Sequence, residues 1–331
     1  MQERMKFLVN IYSNGIEVVK QYRKFLEERY KEGDSVFVNL VEHGIKYFEN
    51  DKWNTFVDLI EENTDKNIFY YGCNYINKSK ELPHGFYNNM FHCGQDLYIK
   101  NDMCKTLLET CVDVHSKSKE SKKWDLLLGG WSLAKDRLSE MVKSHKIIDE
   151  VFFTYYRKDV KSGHWGKSVL IPNKHTAETI EDRSKSMLRY SDLIDPDIYN
   201  QTFYTAYTET IDDIDFGVFT EKTAKPIIAK RPFVVFGSPG HLQALKTLGF
   251  KTFSSVIDES YDKETDREKR FKMVIEAMEK VNALDPVEVY KKLNIILNYN
   301  KAYFEKTAWN TKFNSDTRIY DEEINISNFK N

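Results

Sequence analysis

Glu209, Glu221 and Lys222 are the side chains best suited to gripping a charged, hydroxyl-rich ligand. They lie in "TETIDDIDFGVFTEKTAKPIIAKRPFVVFG", residues 208–237. An ionised carboxylate accepts two hydrogen bonds from a vicinal diol such as a ribose. A lysine ammonium beside it meets a phosphate as a point charge. Asp212, Asp213 and Asp215 fill the polar loop between the two glutamates. The same residues also have a purely architectural reading: Thr220 caps a helix starting nearby, and Glu221 complements that helix's dipole.

Two further stretches invite an anionic ligand. "LLLGGWSLAKDRL" (126–138) puts a glycine pair between an apolar run and a helical pattern, with Lys135 and Arg137 close behind. Glycines there let a backbone approach an anion at a helix N-terminus, although the loop is neither a Walker A nor a GxGxxG motif. The alternative is an ordinary strand-to-helix turn with surface basics. "RPFVVFGSPGHLQALKTLGFKTF" (231–253) ends a buried run at Gly237 and passes through Gly-Ser-Pro-Gly into a helix. Gly237 and Gly240 allow tight turns or close approach of a ligand. Beyond them Asp258, Glu259 and Asp262 can serve as caps, as a partner for Arg231 or as ligand contacts. An acidic cluster without histidine is a poor metal site, and no metal ligands are assigned.

The elements that must carry these residues alternate between strand and helix. "NGIEVVKQYRKFLEERY" has helical spacing at Ile16, Val19, Tyr22, Phe25 and Leu26, with Asn14 as a cap candidate. "DSVFVNLVEHGIKYF" and "NIFYYGCNY" each open with an apolar strand. The segment 124–155 reads strand (124–128), Gly-Gly turn, helix (134–144), strand (151–155), a βαβ unit that implies parallel sheet. A helix from His241, a glycine at 249 and a short strand at Thr252–Phe253 follow. Two long amphipathic helices come next. The stripe Val287, Tyr290, Leu293, Ile296 and Leu297 predicts that the last one docks back toward the N-terminal half.

The expected fold is therefore α/β, with two Rossmann-like halves and a ligand cleft between them. The polar segment 115–123 marks a boundary. It gives an N-terminal acceptor domain over 1–120, a donor-binding domain over 121–300 and a polar, loosely held tail over 301–331.

With 331 residues the chain is ample for two cores, and its net charge of −2 gives no bulk attraction to nucleic acid or membrane. The N-terminus has no apolar run of signal length and nothing approaches a membrane span, so a cytoplasmic protein is expected. Cys73, Cys93, Cys104 and Cys111 form no CxxC pair, which favours reduced thiols. A nuclease would need clustered carboxylates with a strand lysine, as in PDxxxK, and none is present.

"FTEKTAKPIIAKRPFVVFG" resembles the donor-binding motif of the α-1,3-fucosyltransferases, a family of GT-B-fold glycosyltransferases. The matching pieces are Glu209, the loop 210–218, Phe219, Thr220-Glu221-Lys222, the following helix, and Pro232 to Gly237. Tyr207-Thr208-Glu209-Thr210 replaces the family's "FENS", and the loop is about two residues longer. The longer string through "DESYD" also resembles viral and phage proteins, which would place this chain in a host cytoplasm.

The resemblance implies a hexosyl or pentosyl transfer from a nucleotide-diphosphate sugar to a hydroxyl, inverting and without a metal or a tightly bound cofactor. By position, Glu221 would hold the ribose and Lys222 the diphosphate. Arg137, supported by Lys135, would contact phosphate from the first helix of the donor domain. An inverting transfer needs a carboxylate base near the acceptor hydroxyl. Glu42 in "NLVEHG" is the first candidate and Asp96 in "HCGQD" the second. The acceptor is a glycan or, in the phage setting, a hydroxymethylated DNA base. A non-catalytic nucleotide-binding or interaction protein on the same fold is the remaining alternative.

Overall fold

A computed structural model describes residues 4–11, 16–40, 63, 65–72, 74–76, 86–88, 121–128, 133–155, 169–170, 196–209, 216–307 and 320–326. Asn14, Glu42, Asp96, the Gly129-Gly130 pair, Asp212, Asp213, Asp215 and all four cysteines lie outside these residues. The chain divides into two compact units, 1–92 with 308–331, and 93–307. Residues 308–331 are grouped with the first unit.

The first unit contains β1 (Lys6–Ile11), α1 (Ile16–Arg29), β2 (Ser35–Leu40), β3 (Ile68–Gly72), β4 (Asn74–Ile76) and β5 (Phe86–Asn88). A five-stranded sheet runs β12-β1-β2-β3-β5, where β12 is Glu322–Ile326, and every pairing in it is parallel. Phe7, Val9 and Ile11 of β1 are buried, as are Val18, Val19, Tyr22, Phe25 and Leu26 on one face of α1. Phe7 meets Phe25 edge-on, with ring centroids 5.3 Å apart. Buried Asp34 ties strand entry to helix exit by accepting from Met5 N and Lys31 N, each at 2.9 Å.

β12 is the main departure from the sequence reading. Its hydrogen bonds and side chains are satisfied by partners about three hundred residues away: Lys6 N donates to Asp321 Oδ2 (2.7 Å), and Asn10 Nδ2 to Glu323 Oε1 (2.7 Å). Arg29 forms a two-pronged pair with Glu322.

The second unit contains β6 (Lys122–Leu128), α2 (Leu133–Lys143), β7 (Val151–Tyr155), β8 (Val169–Leu170), α3 (Pro196–Gln201), β9 (Thr202–Thr208), β10 (Phe216–Val218), α4 (Glu221–Ile228), β11 (Phe233–Phe236), α5 (His241–Thr247), α6 (Arg267–Asn282) and α7 (Pro286–Lys306). Its main sheet runs β11-β9-β6-β7-β8, parallel except for the antiparallel edge strand β8. β7, β9 and β11 are buried at every position, the pattern of parallel strands covered on both faces.

The winding reverses within this sheet. From β6 the chain crosses through α2 to β7 on one side. β9 then joins the opposite side of β6, and α4 carries the chain outward to β11. Right-handed crossovers in opposite directions put α2 and α4 on opposite faces. Consistently, α2 packs against α6, and α4 against α7. The reversal falls between β6 and β9. Beyond the carboxyl ends of those two strands is where open α/β sheets bind ligands.

Within this unit Arg231 is buried beneath the sheet edge. It donates to Thr205 Oγ1 (3.0 Å), Thr202 Oγ1 (2.7 Å) and the carbonyls of Tyr199, Thr202 and Tyr204 (3.1 Å each). Its charge partner is Asp125 of β6 at 3.4 Å, not the acidic stretch 258–262. That stretch supplies caps and local pairs. Asp262 Oδ1 and Oδ2 accept from Leu242 N (2.8 Å) and Gln243 N (3.0 Å), Glu259 Oε1 accepts from Phe253 N (2.6 Å), and Asp258 pairs with Lys280 (2.7 Å).

α7 lays its apolar stripe against α4, inside the second unit. Val289, Leu293, Leu297, Asn300 and Phe304 form the buried face, one step round from the expected stripe. Tyr290 Oη donates to Phe203 O at 2.6 Å, and Asn300 brackets the Lys251 backbone (2.9 and 2.7 Å). Thr252 and Phe253, expected as a short strand, are held instead by Glu259 without joining a sheet.

Gly249 ends α5 in a Schellman turn: Gly249 N donates to Lys246 O (2.9 Å) and Phe250 N to Leu245 O (3.1 Å). Its φ is +100°, and a Cβ there would sit 2.5 Å from Tyr303 Oη, which itself donates to Leu248 O. Gly249→Ala is expected to cost at least about 1–2 kcal/mol from the left-handed backbone alone. Displacing Tyr303 adds to this, and chemical denaturation measures the total.

Candidate functional site

The site is built where β9 ends and α4 begins. Thr220 stands before the helix in extended backbone (φ −117°, ψ −175°), and its hydroxyl accepts from Lys222 N at 3.3 Å. Its carbonyl accepts from Thr223 N (3.1 Å) and Ala224 N (3.3 Å), which sets the first turn. The architectural reading of Thr220 as a cap is therefore correct, and it coexists with a specific presentation of the next two residues.

Glu209, one residue past β9, is 3% exposed and faces this cap from within. Its Oε1 accepts from Thr220 N (3.0 Å) and Thr223 Oγ1 (2.6 Å), and its Oε2 from Thr220 Oγ1 (2.6 Å). Both oxygens are thus engaged inside the protein. Glu209 anchors the helix start, which corrects its assignment as a direct ligand contact. Burial pushes its carboxyl above the ordinary glutamate range, while Lys222 and the two threonine hydroxyls pull it back.

The polar chain continues inward. Tyr207 Oη lies 3.1 Å from Thr223 Oγ1 and 3.2 Å from His241 Nε2. With Thr223 donating to Glu209, the consistent order has Tyr207 donating to Thr223 and His241 Nε2–H donating to Tyr207. His241 is fully buried and packs edge-on against Phe219, centroids 4.9 Å apart. Burial pushes its imidazole down to about 3, so it is neutral at physiological pH.

At the surface of this scaffold sit the two charges. Lys222 Nζ donates to Glu221 Oε1 at 2.8 Å and to Thr220 Oγ1 at 3.2 Å. The side chains are 16% (Glu221) and 24% (Lys222) exposed, so the pair is reachable but partly desolvated. Burial raises the Glu221 carboxyl, but the charge and hydrogen bond of Lys222, with Lys225 nearby, outweigh it and hold the group below its usual value. A fixed ammonium at a helix N-terminus, next to an ionised carboxylate, can hold an anion with one group and hydroxyls with the other.

Gly237 belongs to the same neighbourhood. A Cβ on it would lie 3.8 Å from His241 Nδ1 and 4.0 Å from the Glu209 Cβ. Its carbonyl accepts from Arg270 Nε at 2.8 Å. Beyond it, the Leu242 and Gln243 amides of α5 are taken by Asp262. The sequence-predicted Glu209, Glu221, Lys222 and Gly237 thus come together.

The two basic residues of α2 part company. Arg137 is 53% exposed and pairs with Glu268 of α6 (2.9 Å) and Glu140 (3.2 Å). Lys135 is buried on the opposite side of α2, since residues two apart on a helix point roughly 200° apart. The catalytic-base candidates Glu42 and Asp96 lie outside the described residues. Thr223, Tyr207 and His241 are the members that sequence reasoning missed. Thr223 sits three residues after the cap, and that spacing was the available signal.

The chain matches no family model, no curated protein and no solved structure. Among the described residues no cluster of potential metal ligands occurs, and no helix is long and apolar enough to cross a membrane.

The buried imidazole gives the fold an acid limit. His241 takes up a proton far more readily unfolded, near 6.5, than folded, near 3. Stability is therefore fully present above the unfolded value and is lost as pH falls between them, by about 1.4 kcal/mol per pH unit. Glu209, with its folded value raised, acts in the opposite sense: stability falls as pH rises above its ordinary value of 4.5. Denaturation titrated from pH 7 to 4 is expected to show the His241 slope, and His241→Asn, which never charges, is expected to flatten it.

Proposed function

We propose that this chain is a glycosyltransferase that takes its donor as a nucleotide-diphosphate sugar, held by Glu221 and Lys222. One observation carries the reading. A partly buried Glu–Lys pair sits at a helix N-terminus, anchored by a carboxylate at the end of the strand that flanks the sheet's reversal point. The sequence resemblance around Thr220-Glu221-Lys222 assigns the same two residues to the same ligand.

The chemistry follows from charge. Glycosyl transfer leaves positive charge on the sugar carbon and negative charge on the departing diphosphate. Lys222 and the amides of α4 stabilise the diphosphate as that charge develops, with no rearrangement needed at the moment of reaction. Glu221 accepts from the ribose hydroxyls and keeps the nucleoside in register. Its bond to Lys222 is shared with the ligand rather than lost. The acceptor hydroxyl, on a glycan or a modified DNA base, gives up its proton to a carboxylate base.

A thermal-shift panel of nucleoside diphosphates and nucleotide sugars tests this. At a hundred times its dissociation constant the correct nucleotide adds roughly 2.7 kcal/mol to the stability of the folded chain. A panel in which no diphosphate shifts the transition overturns the reading.

A further inference from the structure

We infer that Glu209 is a positioning residue that aims the Lys222 ammonium through the Thr220 hydroxyl. The inference rests on the reading of Lys222 as the diphosphate contact. It adds a buried group, on a different element, that decides whether the contact is made.

The wiring is explicit in the geometry. A hydroxyl has one proton and two lone pairs. The Thr220 proton goes to Glu209 Oε2, at 2.6 Å. Both lone pairs are then turned outward, one to Lys222 N at 3.3 Å and one to Lys222 Nζ at 3.2 Å. The other carboxylate oxygen holds the Thr220 amide and the Thr223 hydroxyl, so neither threonine can rotate independently. Glu209 is acceptor-only when ionised, and this polarity points the Thr220 oxygen at the lysine.

An amide in the same place reverses one bond. In Glu209→Gln, the carboxamide nitrogen donates to a threonine hydroxyl that previously donated to it. If that hydroxyl is Thr220, one of its lone pairs is taken, and its proton turns toward the Lys222 ammonium. Side-chain volume and burial barely change, so the substitution separates aiming from filling.

The test reads the lysine directly. A ¹⁵N spectrum of the lysine ammonium groups of the full chain is expected to show a restricted Lys222 signal, identified by its absence in Lys222→Ala. Glu209→Gln is expected to shift or broaden that signal, and so is Thr220→Val, which removes the relay hydroxyl. Thr220→Ser is expected to restore it. Titration with inorganic pyrophosphate supplies the second arm: Glu209→Gln weakens binding about tenfold in the wild-type background and not at all in Lys222→Ala.

A Lys222 signal unmoved in Glu209→Gln overturns the inference, even where pyrophosphate binds and the donor-site reading stands. Signals that move as expected in a chain that binds no pyrophosphate uphold the positioning role and remove the donor-site reading instead. Should Glu209→Gln fail to fold, Glu209→Asp, which keeps the charge but withdraws the carboxylate from the Thr220 hydroxyl, takes its place in the same spectrum, with the same outcomes.

Discussion

Arg231→Met is expected to destabilise the second unit by about 3–5 kcal/mol, the cost of leaving a buried partner charge uncompensated. Asp125 is buried on the central strand β6, and the guanidinium is its ion-pair partner at 3.4 Å. The substitution also removes the hydrogen bonds that Arg231 gives to the carbonyls of Tyr199, Thr202 and Tyr204 and to the hydroxyls of Thr202 and Thr205. The arginine further stacks over the Tyr199 ring at 4.2 Å, so methionine replaces its volume but not its bonds. Urea denaturation measures the loss. A cost below about 1 kcal/mol would show that the Asp125–Arg231 pair contributes nothing net. Replacing Asp125 by leucine in the same chain is expected to recover part of the loss, because the buried carboxylate that Arg231 neutralised is then gone.

Lys222→Ala is expected to weaken nucleoside-diphosphate binding by about 1.5–3 kcal/mol, the value of a charge-assisted hydrogen bond. The effect on folding is expected to stay small. The lysine side chain is partly exposed, and its ion pair is local to the helix start. The cap itself survives, since Thr220 bonds to the Lys222 amide and not only to its side chain. Glu221→Gln is expected to act differently: it loses the ribose contact and frees the ammonium from its neighbour, so inorganic pyrophosphate binding is retained while nucleotide discrimination falls. A Lys222→Ala protein with a collapsed melting temperature and unaltered diphosphate affinity would mark the triplet as structural alone.

Much of the second unit was legible in the sequence because its signals are local. The strands 151–155 and 233–236 are β-branched and aromatic runs, and the helix 133–143 follows a 3.6-residue period, so composition, periodicity and turn residues located them. Thr220 was legible as a cap for the same reason. What was not legible depends on distant partners. The charged segment 322–326 reads as a polar tail, yet it is a strand because β1 offers it a parallel edge and Arg29 and Asn10 take its carboxylates. Glu209 reads as a ligand group by its type. Only the fold reveals that Thr220 and Thr223 use both its oxygens. Arg137 and Lys135 lie close in sequence, but they diverge on α2, and Glu268 from α6 claims the exposed one. The Asp125–Arg231 pair joins residues 106 apart, beyond any local pattern.

The most direct test of the central claim compares a nucleoside diphosphate with its monophosphate by titration calorimetry, on the wild-type chain and on Lys222→Ala. If Lys222 holds the terminal phosphate, the wild type prefers the diphosphate by at least tenfold, about 1.4 kcal/mol. The variant binds both nucleotides at the monophosphate's level, with an unchanged melting temperature. Equal affinity of the wild type for the two nucleotides, or a diphosphate preference that survives in Lys222→Ala, would contradict the account.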